Sequence, residues 1–328
     1  MRRREFIAAL SGAAVAWPLA ARAQEQVRVR RIGMLSSGPN NPLTAKGYPT
    51  MVAELRKLGF VEGENLVIER RRTDEGTAKA FAGANELVAA KAELIVASGP
   101  EFTLEVAQAV RPALPIVFMA VNFDPIAKGY VANLSHPGGN LTGLFYRQPE
   151  LAGKQLELLT EAFPDHKAVG VLWDQYTADQ YEVAERTAKT FGLSLHSLKL
   201  EKPPYDWEAA FRTATQSGVR MILVLSSPYF AASREKIASL ATQNRVPTMF
   251  TFNYYVEAGG LISYGVSVEP VWRRAASYVA KILRGANPGE LPVEQTTNYE
   301  LAINLKTAKA IGVTLPTSIL LRADEVIE

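Results

Sequence analysis

The chain has 328 residues, roughly two domains at ~150 residues each. With 48% hydrophobic and 21% charged residues it can bury real cores, which excludes a disordered or fibrous protein, and its formal charge of +3 argues against the strongly basic face of a dedicated nucleic-acid binder. It contains no cysteine, which removes disulfides, thiolate metal sites, cysteine nucleophiles and thiol-linked lipid anchors in one step.

The first segment reads as an address. Arg2, Arg3 and Arg4 precede Glu5-Phe6-Ile7, a short apolar run extends to Ala20, and Ala21-Arg22-Ala23 forms a small-x-small cleavage site. A basic start, a short apolar run and such a site make an export signal, and the paired arginines resemble the twin-arginine type. The run is too short for a spanning helix, which needs ~20 apolar residues. Residues 1–23 carry four arginines and one glutamate, so the chain from Gln24 onward is formally neutral. Gln24 stands where a lipoprotein needs Cys, so the expected product is a soluble, periplasmic protein that is not a lipoprotein.

Beyond the leader, short apolar runs alternate with helical patterns. Residues 31–35 read as a strand. Tyr48, Met51, Val52, Leu55 and Leu58 fall at helical spacing before a stop at Gly59. Strands follow at 66–68, 94–97 and 116–119, with a helix over 101–111 between the last two. The strands are apolar at consecutive positions, as expected when both sheet faces are covered. A Gly/Pro/Asn-rich turn, His136-Pro137-Gly138-Gly139-Asn140, and a helix over 151–162 separate this series from a second. The second has strands at 168–172, 193–198, 221–225 and 247–250 and helices over 178–191, 207–215 and 230–244. Val271, Ala275, Tyr278, Val279 and Ile282 then line one face of a helix that Gly285 can end. The fold class is therefore α/β, with two doubly wound parallel-sheet lobes.

In open α/β sheets, ligands bind outside the carboxyl ends of the strands. In the first lobe those ends offer Ser36, Ser37, Ser98, Gly99, Asn122, Phe123 and Asp124. In the second they offer Trp173-Asp174, Ser226, Ser227, Thr251, Phe252, Asn253 and Tyr254, with Glu257 just beyond. Hydroxyls and free helix N–H groups at Ser98 and Ser226 suit a carboxylate, Asp124 and Glu257 suit an amine, and the aromatic rings suit an apolar body. Each has a plainer reading too. A serine before a helix often only caps it, Asp124-Pro125 opens turns, Trp173 can be lobe core, and Glu257 can serve the Gly259-Gly260 turn.

No catalytic constellation emerges. None of the three histidines, His136, His166 and His196, has a partner at metal-ligand spacing. No serine is framed as Gly-x-Ser-x-Gly, and there is no phosphate loop or dinucleotide fingerprint. The expectation is no enzyme, no metal and no cofactor.

Several long blocks carry a resemblance. Residues 58–66, Leu-Gly-Phe-Val-Glu-Gly-Glu-Asn-Leu, are similar to the "LGYVEGKNI" segment of a family of ABC-transporter substrate-binding proteins of the tryptophan/tyrosine type. So are Asp124-Pro125-Ile126, residues 137–143, residues 154–159, the Tyr-Val-Glu-Ala-Gly-Gly-Leu-x-Ser-Tyr-Gly block at 255–265, and the blocks at 291–295, 304–308 and 322–327. The resemblance covers 28–328 in family order. It implies a type I periplasmic-binding fold whose two lobes are joined by a hinge of several crossings and close on a small ligand bearing a carboxylate, such as an amino acid or an aromatic or branched acid. The ligand-binding residues expected are Ser36, Ser37, Ser98, Gly99, Asn122, Phe123, Asp124, Phe145, Trp173, Ser226, Ser227, Asn253, Tyr254 and Glu257. The implied partner is an ABC permease in the inner membrane, with no nucleic acid and a monomeric chain. A ligand-sensing module for a membrane receptor, and an exported enzyme, are the alternatives. The expected lobes are 27–145 plus 268–290 and 146–267 plus 291–328, with a third crossing near residues 288–294. Asn122-Phe123 departs from the Gly that often precedes Asp-Pro in related sequences, so ligand identity does not transfer.

Overall fold

The computed structural model describes residues 28–36, 41–111, 113–227 and 229–328. The export signal expected at 1–23, and Ser37, lie outside the described residues.

The first series forms β1 (Arg30–Ser36), α1 (Pro42–Lys57), β2 (Leu66–Arg72), α2 (Thr77–Ala89), β3 (Leu94–Gly99), α3 (Glu101–Val110), β4 (Ile116–Val121) and β5 (Leu141–Tyr146). Its sheet has the order β11-β5-β4-β3-β1-β2, with β11 at Glu294–Gln295, and every pairing in it is parallel. β1 and β3–β5 are buried almost throughout, because helices cover both faces. One of those helices comes from late in the chain. The helix α9 (Val268–Leu283), reached after the second series, packs its Trp272 against Gly47 of α1, where any Cβ would lie 2.0 Å from the indole Nε1.

The second series forms α4 (Gln148–Ala162), β6 (Ala168–Asp174), α5 (Ala178–Thr190), β7 (Ser194–Leu200), α6 (Trp207–Gln216), β8 (Met221–Val224), α7 (Arg234–Gln243), β9 (Thr248–Phe250), α8 (Asn253–Glu257) and β10 (Ile262–Val266). β12 (Tyr299–Asn304), α10 (Leu305–Ile311), α11 (Thr317–Leu320) and β13 (Glu325–Ile327) complete it. The sheet order is β13-β12-β10-β9-β8-β6-β7, parallel except that β12 runs against β10. The architecture is thus two parallel-sheet α/β lobes.

The chain passes between the sheets three times: at β5–α4, at β10–α9, and between β11 and β12. The last differs from the expected boundary. β11 pairs with β5, so residues 294–295 belong to the first sheet and the chain leaves it only after Gln295. Two crossings are tied together by the Ser267 N–H donating to the Asn298 carbonyl at 3.0 Å. Buried apolar packing is continuous across the lobes, through Tyr146 at the end of β5 and Phe252 after β9, whose rings meet edge to face at 6.3 Å. α2, β5, β10 and β12 carry patterns that periodicity alone left unassigned. β5 runs unbroken through Gly143, whose φ of 153° and close approach to the Phe118 backbone only glycine permits.

Candidate functional site

The parallel registers align the strand ends. Ser36 lies beside Ser98, Gly99 beside Ala120, and Val121 beside Tyr146. These ends face those of β6, β8 and β9 across the cleft. Between the lobes is a cavity of about 220 Å³. Its first-lobe wall includes Leu43, Gly99, Glu101, Asn122 and Phe123, and its second-lobe wall Tyr176, Ser226, Ser227, Phe252 and Tyr254. A narrow extension of about 20 Å³ runs inward past Ser98 and Tyr146 to Trp272. Two wider recesses open on either side. One, of about 470 Å³, carries Asp124, Arg147 and Asp179; the other, of about 770 Å³, carries Lys46, Arg234 and Glu257.

Gly99, Asn122, Phe123, Ser226, Ser227 and Tyr254 therefore converge on one cavity, and Ser98 lines its inner extension. Asn122 has φ +62°, a left-handed conformation that asparagine tolerates. Its Oδ1 accepts from the Gln148 N–H at 3.2 Å, which fixes it against the β5–α4 crossing. Neither serine acts as a helix cap. Ser98 lies inside β3 and Pro100 is the N-cap of α3, while the Ser226 N–H donates to Gln180 Oε1 at 3.0 Å and α7 starts only at Arg234. Pro228, the expected helix opener, lies outside the described residues.

Other expected contacts are used elsewhere. Phe145 is 3% exposed in the core of the first lobe, because inward and outward positions alternate along β5. Trp173 stacks on Tyr181 at 4.3 Å and donates to Ser197 Oγ at 2.8 Å, on the helix-covered face of the sheet and away from the cavity. Ser36 is buried and lines none of the recesses described above. Asp124 Oδ1 accepts from the N–H groups of Ile126 and Ala127 at 2.9 and 3.1 Å, so it closes its own turn at the edge of the outer recess. Glu257 does meet an amine, but it is the Nζ of Lys46 in the opposite lobe. Asn253 accepts from the same Lys46 at 3.4 Å and donates to Glu325 at 3.1 Å.

The strongest polar feature is one residue past Trp173. Asp174 is fully buried at the end of β6. Its Oδ2 accepts from Ser227 Oγ and, at 2.8 Å, from the Tyr205 hydroxyl, and its Oδ1 accepts from the Tyr176 N–H at 3.0 Å. Burial first, and then this hydrogen bond, push the Tyr205 phenol well above its usual range. Ser227 Oγ in turn accepts from the Tyr229 N–H at 3.2 Å. Asp174 is thus the strut that holds two cavity residues, Tyr176 and Ser227, in place. Strand-end position marks Asp174 in the sequence. Strand-end position marks Phe252 as well, but nothing local marks Tyr176 or Leu43 as cavity residues, since tertiary folding brings the turn after β6 and the start of α1 there.

Among the described residues no group of His, Cys, Asp and Glu could hold a metal ion, and no helix is long and apolar enough to cross a membrane.

A family model described as ABC transporter substrate binding protein matches residues 39–327. The chain is 26% identical over 290 residues to the tyrosine-binding protein of Clostridioides difficile strain R20291, covering 85% of this chain and 79% of that one. Its fold is similar to a conserved domain protein from Vibrio cholerae, with TM-score 0.80, 26% identity and coverage of 91% and 100% of the two chains. It is also similar to an ABC domain in complex with L-Trp from Streptococcus pneumonia, with TM-score 0.76, 25% identity and coverage of 90% and 100%.

Proposed function

We propose that this chain, which belongs to the ABC transporter substrate-binding protein family, captures an amino acid with an apolar or aromatic side chain between its lobes and delivers it to a membrane permease. The observation that carries the ligand class is the cavity itself. At about 220 Å³ it lies below the ~300–1,000 Å³ of sites for drug-sized molecules, and it is walled by Phe123, Tyr176, Phe252 and Tyr254 with few polar groups among them. Relatives whose names or structures carry tyrosine and L-Trp support the same class.

Rings on both walls bury the apolar body, and backbone N–H groups at the start of α3 with Ser226 orient the polar end. Three crossings joining two lobes, each built on its own sheet, suit hinge closure around a ligand. A micromolar Kd corresponds to about −8 kcal/mol, a modest sum for burying such a body. The ligand-binding residues proposed are Gly99, Asn122, Phe123, Ser226, Phe252, Tyr254 and, beyond the sequence reading, Tyr176. Export by the twin-arginine leader would place the mature, monomeric chain in the periplasm.

Native mass spectrometry of the purified protein, followed by titration calorimetry with tyrosine, tryptophan, leucine and isoleucine, tests this reading. Binding of one of them with a Kd below about 100 μM is expected, roughly −5.5 kcal/mol. Absence of heat and of thermal stabilisation with all four would sink it.

A further inference from the structure

We propose that the cavity selects its ligand through a cationic ammonium group, and that buried Asp174 sets this preference from one hydrogen bond behind the wall. The inference rests on the amino-acid reading above and narrows it: the amine is required and the carboxylate is dispensable.

The charges around the cavity are unbalanced. Among the described residues no lysine or arginine lines it. The basic side chains of the flanking recesses are already paired: Lys46 with Glu257, Arg234 with Glu235 at 2.7 Å, Lys128 with Glu101 at 2.8 Å, and Arg147 with Glu150 at 3.4 Å. Two carboxylates have no such cationic partner among the described residues. Asp179, at the mouth, accepts from the Gln180 N–H at 2.9 Å and meets Asn122 Nδ2 at 3.5 Å, both neutral. Asp174, fully buried, is held by neutral donors alone.

A buried carboxylate is ordinarily retained with a cation beside it, because desolvation penalises the charge. Here the open space next to it is the cavity, reached through Ser227 and Tyr176. Ser227 cannot offset the sign for an anion. Its single proton goes to Asp174, and its oxygen already accepts the Tyr229 N–H. The rings of Phe123, Tyr176, Phe252 and Tyr254 add faces that attract cations and repel anions. A ligand ammonium completes the missing pair, whereas a lone carboxylate meets uncompensated negative charge on the second-lobe side.

The test compares three probe series on the full mature chain by titration calorimetry: tryptophan, tryptamine and indole-3-propionate; tyrosine, tyramine and 3-(4-hydroxyphenyl)propionate; leucine, isopentylamine and 4-methylpentanoate. Within the series that binds, the amine is expected within about tenfold of the amino acid and the acid at least about a hundredfold weaker. An acid that binds as well as its amine overturns the inference and leaves amino-acid capture standing. Silence from all nine compounds overturns the amino-acid reading and this inference together. Asp174→Asn is expected to narrow the amine-to-acid ratio by about tenfold, a readout that loss of packing alone would not move. Because the amide nitrogen introduced there would face a donor, Asp179→Asn serves as a second variant, with a smaller narrowing expected and no buried carboxylate disturbed. An unchanged ratio in both variants overturns the role given to these carboxylates.

Discussion

Lys46 offers a direct way to weigh lobe closure. It projects from α1 of the first lobe, and its Nζ meets Glu257 and Asn253 on α8 of the second. The side chains of the ion pair are 32% and 37% exposed. Unit charges at 4 Å attract by about 1 kcal/mol in water and about 4 at an effective dielectric constant of 20. With a third of each side chain in solvent, and rotamer entropy to be lost, the net falls to ~0.2–1 kcal/mol, and the Asn253 bond argues for the upper half of that range. Lys46→Met keeps the apolar stem and removes the charge. It should therefore disfavour the closed arrangement by about 0.5–1 kcal/mol and weaken ligand affinity about two- to fivefold. Titration calorimetry at low salt reads the loss, and small-angle scattering reads the fraction open without ligand. Because the Debye length shortens from ~10 Å at 0.1 M to ~3 Å at 1 M salt, the gap between variant and parent should shrink as salt rises. Equal affinities at low salt, or a gap unchanged at 1 M, would refute the assignment of this pair as a closure contact.

Gly143→Ala should destabilise the first lobe by roughly 3 kcal/mol or more, since its Cβ would sit 2.0 Å from the Phe118 carbonyl oxygen at φ 153°; a wild-type melting temperature would contradict this. Trp173→Ala should cost about 1–2 kcal/mol of stability through the lost stack on Tyr181 while leaving ligand affinity unchanged, whereas Phe252→Ala should weaken affinity at least about tenfold; the two separate in a melt run alongside calorimetry. Arg274, followed by Tyr278, holds the Glu294 carboxyl below the usual range. That stabilisation is fully present above the ordinary glutamate value of about 4.3 and is lost as pH falls below it through the depressed folded-state value. Glu294→Gln should thus lower the urea midpoint at pH 7 and flatten its fall as pH drops below the ordinary glutamate value of about 4.3; parallel curves for the two proteins would exclude this pair as a source of acid sensitivity.

Much of the architecture is visible in single segments. Consecutive apolar positions at 94–97 and 116–119 can only be satisfied by a sheet covered on both faces, and they form β3 and β4. The strand-end rule found Gly99, Asn122, Phe123, Ser226, Ser227 and Tyr254, because a parallel sheet puts all its carboxyl ends on one side. The same rule misplaced Trp173, since it gives the end of the strand but not which face of the last residue looks outward: Trp173 turns to α5 and Asp174, its neighbour, to the cavity wall. Ser98 and Ser226 looked like helix caps because serine before a helix usually is one. Their backbone groups are engaged by the strand and by Gln180 instead.

The sequence by itself determined two α/β lobes, the side of each sheet on which a ligand would sit, and the apolar character of that side, because periodicity and strand ends are local properties. Only the tertiary structure decided which charges remain without partners. Lys46 and Glu257 are 211 positions apart, Asp174 and Ser227 are 53 apart, and nothing in either segment announces the other. Pairing is a through-space property, so the closure contact exists only once the lobes face each other, and the buried carboxylate behind the cavity only once the second lobe has folded.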